Sequence, residues 1–313
     1  MRIERYTLAH KDVWDSFVKE SKNGTFLFLR DYMDYHANRF PDHSLLAFSD
    51  EGKLLAILPA TAKDKTHITS HAGLTYGGLV MSRQSTIVEV CRILESMLIY
   101  LREEGFKEFI YKAVPHIYHQ LPSEEDLYAL TQVCRATLVK RMASTVIDFS
   151  NQLPIRERRQ RYIRAALRKG LEIVSSTDFA AFWPILNETL KRKYQALAVH
   201  TLDEIKLLHS HFPNNIHLWL AQQEGETLSG AVLFVTDTCV HAQYLCSSPR
   251  GDDFHANEVM VNHILQHYSP LHYFDFGTSA DTGAYGLNES LIAAKQSYGC
   301  RTIVYDTYKI DIF

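Results

Sequence analysis

One arrangement of apolar and polar positions occurs twice along the chain. Leu45-Leu46-Ala47-Phe48, a turn at Asp50-Glu51-Gly52 and Leu54-Leu55-Ala56-Ile57-Leu58 predict a β-hairpin over residues 45–61. A second hairpin is predicted over 216–235, from Ile216 to Ala221, through Glu224-Gly225-Glu226, to Ser229 through Val235. Glycine in each turn supplies the positive φ that a tight reversal needs. A third strand follows in each half, near 74–81 and 240–247. Then comes a helix. Residues 86–104 place Val88, Cys91, Leu94, Leu98 and Leu101 at helical spacing, with Gly105 positioned to end the helix. Ala256, Val259, Met260 and Ile264 do the same over 254–267. Each helix leads into a short apolar strand, Glu108 to Val114 and Tyr273 to Gly277. A further helix and a last strand close each half, the strands being Ser144 to Phe149 and Thr302 to Ile310.

Corresponding elements are offset by 225 − 52 = 173 residues at the hairpin turns and 273 − 108 = 165 at the strands after the helices. The order of elements repeats, while residue identity between the halves is poor. That pattern argues for a duplicated α/β fold with mixed, α+β-type sheets, in domains spanning 1–152 and 153–313. The boundary falls at the turn-rich Ser150-Asn151-Gln152-Leu153-Pro154. A helix over 156–169 follows, with Gly170 as its terminator. No low-complexity linker separates the halves, so they are expected to pack together. Thr201-Leu202-Asp203-Glu204 has the form of a capping box, and Ser123 with Asp126 is a weaker version.

Bulk properties narrow the function. The 313 residues give room for two domains, and 46% hydrophobic with 22% charged residues is the composition of a globular chain. A net charge of −3 gives no whole-protein attraction to DNA or to an anionic membrane surface. The longest apolar run, Leu54 to Ala60, is far short of the ~20 residues that span a bilayer. Met1-Arg2-Ile3-Glu4-Arg5 has no signal-peptide pattern. The five cysteines, at 91, 134, 239, 246 and 300, form no CxxC pair and suit free thiols, so a cytoplasmic location is expected. His116 with His119 and His263 with His267 have metal-compatible spacing. No HExxH-type motif supports them, so no metal is expected.

Three segments could carry chemistry. Arg156 to Lys169 holds seven cations against one acid. On a helix, Arg158, Arg161 and Tyr162 lie within a turn of one another, Arg164 and Arg168 follow Arg161 along the helix, and arginine forks suit phosphate and carboxylate oxygens. This is either a site for an anionic substrate or a solvated helix face. In Phe274-Asp275-Phe276-Gly277-Thr278-Ser279 an apolar strand ends in an acid and two hydroxyls, where α/β folds gather ligands. Asp275 could there position or deprotonate a substrate. Asn288 begins a further helix, where backbone N–H groups attract anions, and Lys295 lies two turns on. Tyr194 and Tyr244 complete the substrate-binding candidates.

The duplicated element order resembles the FemAB-like family of the GNAT superfamily, two acyltransferase folds in tandem. So do Arg161-Tyr162-Ile163-Arg164-Ala165-Ala166-Leu167-Arg168-Lys169-Gly170 and Asp275-Phe276-Gly277 with Asn288 and Lys295. Ser70-His71-Ala72-Gly73-Leu74-Thr75-Tyr76-Gly77-Gly78 is similar to the substrate-side stretch of such first domains. The resemblance implies attack by an amine on an activated carbonyl. The acyl donor would be an acyl-CoA or an aminoacyl-tRNA, and the acceptor a small anionic, cell-envelope type of molecule. It implies Asp275 as catalytic residue, with Arg158, Arg161, Tyr162, Arg164, Tyr194, Tyr244, Thr278, Ser279, Asn288 and Lys295 binding substrate. The strand His241 to Ser247 would offer N–H groups to the acyl carbonyl.

Two features depart from the family pattern. The turn after that strand reads Arg250-Gly251-Asp252-Asp253-Phe254-His255-Ala256, which lacks later glycines and puts two acids where coenzyme A pyrophosphate would sit. No long heptad pattern between 170 and 313 supplies the coiled-coil arm common in tRNA-dependent members. Two alternatives therefore stand beside acyl transfer: a ligand-binding protein that has lost catalysis, and an acetyl-CoA enzyme with an atypical loop.

Overall fold

The computed structural model describes the chain except Asp281–Gly283 and the side chains of Tyr194 and Ala284. The chain forms two units, Met1–Met142 with Val304–Phe313, and Ala143–Ile303. The sequence places a boundary at 152/153. In the structure, unit 2 takes in residues 143–152, and the chain ends in unit 1.

Unit 1 contains β1 (Arg2–Arg5), α1 (Lys11–Glu20), α2 (Arg30–Met33), β2 (Leu45–Phe48), β3 (Leu54–Leu58), β4 (Thr61–Ala62), β5 (His67–Thr69), β6 (Val80–Met81), α3 (Ile87–Glu103), β7 (Glu108–Lys112), α4 (Glu125–Gln132) and the start of β8 (Thr137–Asp148). The predicted first hairpin is β2–β3, antiparallel, with Gly52 at φ +83. It lies in a sheet ordered β1-β2-β3-β6.

Three expectations change in this unit. The third strand shrinks to Val80–Met81, because the glycine pair before it is used in close packing rather than in a ladder. The helix over 86–104 forms, capped by Thr86, yet its buried stripe is Val90, Ile93, Leu94, Met97 and Leu101. Val88 is 56% exposed, so the true apolar face is rotated from the predicted one. At the third, Ser123 does not cap α4. Its hydroxyl bonds the Leu121 carbonyl, and Asp126 turns inward to the Tyr111 hydroxyl.

Unit 2 contains the end of β8, then α5 (Glu157–Arg168), β9 (Glu172–Ser176), α6 (Phe179–Tyr194), α7 (Leu202–His211), β10 (Ile216–Gln223), β11 (Glu226–Val235), β12 (Cys239–Ser247), α8 (Pro249–Asp253), α9 (Ala256–His267), β13 (Tyr273–Thr278), α10 (Glu289–Gln296) and the start of β14 (Arg301–Asp311), whose later part pairs with β7 in unit 1. Its strands are ordered β8-β13-β12-β11-β10-β9. The second predicted hairpin is β10–β11, turned at Glu224 and Gly225, both with positive φ. Ala256, Val259, Met260 and Ile264 are buried on α9 as predicted, in a core with Val240, Phe274 and Phe276. Thr201 and Glu204 form the full capping box of α7. α6 was not anticipated. Asp178 caps it, and Phe179, Phe182, Trp183 and Leu186 anchor it by burial. Gly230 on β11 lets it approach, since a Cβ there would stand 2.3 Å from the Phe182 ring.

Candidate active site in unit 2

The site begins where two parallel strands part. β12 and β13 pair only from Cys239↔Tyr273 to His241↔Asp275, although β12 continues to Ser247. Two irregularities turn them from one another. Gln243 is an extra residue against β11, since Val232 faces Tyr244 and Leu233 faces Ala242. β13 slips register against β8 after Asp275, where Gly277 adopts φ +75. A cavity of about 550 Å³ opens beyond the vertex. Its walls come from β12 (Tyr244, Cys246), α6 (Thr189), the first turn of α9 (Glu258) and α10 (Lys295).

Polar groups converge on this cavity. The Tyr244 hydroxyl accepts the His200 N–H at 3.1 Å and lies 2.8 Å from His200 Nδ1. Burial raises the Tyr244 pKa, so the phenol keeps its proton at neutral pH. Lys295 Nζ donates to the Gly277 carbonyl and to Ser279 Oγ, each at 2.8 Å. Burial lowers its pKa to about 8, against the pull of Asp275. Arg159 pairs with Glu258, donates to Ser297 Oγ at 2.8 Å and lies over the Tyr298 ring. Asp275 sits behind the wall, fully buried. It accepts from Ser144 Oγ at 2.6 Å, the Gly277 N–H at 2.8 Å and His241 Nδ1 at 2.8 Å. Among the described residues no cluster could hold a metal ion. Nor is any helix among them long and apolar enough to cross a membrane.

Residues 155–285 match the model of an acetyltransferase (GNAT) domain. No curated protein is similar in sequence. Three solved structures share the fold over nearly their whole length. FemX is 14% identical, covering 99% of this chain and 97% of its own, with a TM-score of 0.72. The C-terminal domain of a putative lysylphosphatidylglycerol synthetase from Agrobacterium fabrum is 11% identical, covering 97% and 92%, with a TM-score of 0.61. A tandem GNAT protein from the clavulanic acid biosynthesis pathway is 10% identical, covering 100% and 99%, with a TM-score of 0.53. This chain has the fold of FemX and of the tandem GNAT protein.

Within that GNAT fold the predicted residues separate into three groups. Tyr244 and Lys295 line the cavity. Asp275, Thr278 and Ser279 lie behind it, with Lys295 bridging to the last two. Asn288 caps α10 by accepting the Leu291 N–H, and its own N–H bonds Ser279. Arg158, Arg161 and Arg164 are exposed on α5. Arg161 pairs with Glu157 at 2.7 Å, and Arg158 donates to the Tyr162 hydroxyl at 2.7 Å. Tyr162 stacks on His255 with ring centroids 4.1 Å apart. The side chain of Tyr194 lies outside the described residues.

The structure adds residues that the sequence reading passed over. Arg159 is the arginine of α5 that reaches the cavity. It shares an i, i+4, i+7 stripe with Ile163 and Ala166, the buried pair of this helix, so helix phase could have singled it out. His241 could not be picked out of 16 histidines without its partner in space. The loop after β12 also takes a definite form. The N–H groups of Gly251, Asp252, Phe254 and His255 bond Ser248 Oγ, Ser248 O, Arg250 O and Asp252 O. Gly251 is there for close approach, as a Cβ would stand 2.2 Å from the Leu228 carbonyl oxygen. These amides are consumed within α8 and its flanks rather than presented to a pyrophosphate.

Proposed function

We propose that this protein is an N-acyltransferase that carries an acyl or aminoacyl group from an activated ester or thioester to an amine of an anionic acceptor, of the cell-envelope type. The observation that carries this reading is the parting of β12 and β13 at a cavity in the GNAT-matched unit. There the edge of β12 beyond His241 faces the cavity instead of another strand, and a donor carbonyl would meet it there. Backbone N–H groups so placed stabilise the oxyanion of a tetrahedral adduct. The protonated Tyr244 hydroxyl, held by His200, is a further donor at the same wall. Arg159 and Lys295 bring positive charge to the cavity, and the exposed Arg158, Arg161 and Arg164 form the surface that collects the acceptor's anionic group. The engaged amides after β12, with Asp252 on the cavity wall, favour a donor other than coenzyme A. An aminoacyl ester suits the site better.

The test uses the purified chain with aminoacyl-tRNA and, in parallel, acyl-CoA as donors. Amine acceptors with and without a phosphate are supplied, and the product is read by mass spectrometry. Transfer from the aminoacyl ester, reduced in Tyr244→Phe, is the expected result. Transfer from acyl-CoA, with a stabilisation of about 2.7 kcal/mol at a hundred times Kd, would replace the donor assignment. Tight acceptor binding without transfer from either donor would make the protein a binding module.

A further inference from the structure

Acyl transfer to an amine needs a group that takes the amine's proton. We infer that this group is the imidazole of His241, oriented by Asp275. The inference rests on the acyl-transfer reading above.

Position comes first. His241 and Asp275 are the final pair of the parallel ladder, the last residues before β12 and β13 part. The register of β11 then fixes the face. Phe234 is opposite His241 and Val232 is opposite Tyr244. Phe234 and Val232 are two residues apart on one strand and share a face. His241 therefore lies on the same side of the sheet as Tyr244, which lines the cavity, and one step nearer the vertex.

Exposure divides the labour between the two groups. Asp275 has 0% of its side chain accessible and His241 has 14%. The carboxylate is shut away from solvent, whereas part of the ring is accessible. Ser144 Oγ, the Gly277 N–H and His241 Nδ1 all approach the carboxylate, which leaves it no freedom to rotate. With Nδ1–H donating to Asp275, the lone pair of Nε2 is the basic site. Among the described residues Nε2 makes no hydrogen bond. Gly277 leaves room for the ring, since a Cβ there would come within 3.2 Å of His241 Cε1.

The step balances on these atoms. The amine nitrogen bonds to the acyl carbon, and the carbonyl π pair moves to oxygen. His241 Nε2 takes a proton from the new ammonium. The adduct then collapses, breaking the bond to the ester oxygen or thioester sulfur, and that leaving atom departs with the proton carried by His241. The products are an amide and a neutral alcohol or thiol. His241 is the catalytic residue and Asp275 a positioning residue.

The experiment compares kcat and KM for the wild-type protein, His241→Ala and Asp275→Asn, using the donor that the wild type accepts. The expected loss in kcat for His241→Ala is on the order of 10²–10⁴-fold, with KM for the acceptor unchanged. Added imidazole is expected to restore part of it. In Asp275→Asn the kcat falls while KM holds, and the downfield Nδ1–H resonance of His241 is lost. Thermal melting confirms that each variant is folded. If Asp275→Asn does not fold, Ser144→Ala reports on the same carboxylate. A folded His241→Ala that keeps wild-type kcat overturns the inference and leaves the acyl-transfer reading standing. A low kcat that imidazole does not raise also overturns it. Failure of the wild type to transfer from any donor overturns both.

Discussion

Two places in the molecule follow a third-strand-then-helix order, and they differ in what fills the strand edge. In unit 1 a phenol occupies it. The Tyr111 hydroxyl accepts the Leu79 N–H at 2.7 Å and donates to the buried Asp126. Gly77 bonds the Lys112 carbonyl and lies so near Ser70 that a Cβ would stand 1.9 Å from its carbonyl oxygen. In unit 2 the matching edge of β12 opens on a cavity. A repeated order of elements therefore carries no guarantee of a repeated site. One copy satisfies its backbone with its own side chains, and the other leaves its strand edge facing a cavity.

The largest effect is expected from breaking the seal in unit 1. Tyr111→Ala removes a fully buried ring and strands Asp126 and the Leu79 N–H, at a cost of about 3–5 kcal/mol in urea unfolding. If the loss is under 1 kcal/mol, the seal is not structural and the contrast fails.

Asp126 gives the same comparison a pH signature. Burial pushes its pKa up to about 6, above the ~3.9 of an unfolded chain. The native state holds the proton more tightly. Its contribution is therefore fully present below about pH 4 and lost as pH rises through about 6. Wild type is expected to lose a few kcal/mol over that window relative to Asp126→Asn. Parallel denaturation midpoints for the two proteins would dismiss the claim.

Glycine substitutions separate stability from activity. Gly77→Ala meets backbone and should cost about 1–3 kcal/mol without any specific effect on turnover. Gly277→Ala strains a φ of +75 and presses on His241. Its turnover should drop about a hundredfold, more than its melting temperature suggests. Equal effects of the two on activity would erase the distinction.

The smallest effect on stability belongs to α5. Changing Arg158, Arg161 or Arg164 to Gln should alter unfolding free energy by less than about 0.5 kcal/mol, since all three are exposed. KM for an anionic acceptor should rise, and the rise should shrink at high salt. An unchanged KM would make these arginines a solvated face.

Much of the fold was legible because it depends on local periodicity. Both hairpins, α9, the capping box of α7 and the Gly170 stop follow from residues adjacent on one strand or helix. Where a choice rested on packing, the sequence misled. α3 has apolar residues on more than one side, so Val88 looked as eligible for the core as Val90. Ser123 and Asp126 had capping spacing, but a phenol from β7 gave Asp126 a better partner. Of the site, Tyr244 and Lys295 were recognisable as polar residues on a strand and a helix of the second half, and both line the cavity.

The amino-acid order by itself settled the tandem α/β plan, through hydrophobic spacing and glycine turns. It also identified a basic helix and an acid at a strand end. Only the tertiary structure decided which arginine of that helix turns inward, that Asp275 is shut away from solvent, and that His241 is its partner. Those facts depend on contacts between strands far apart in the chain. A bulge of one residue in β12 and a register slip in β13 create the opening, and neither leaves a periodic trace in the sequence.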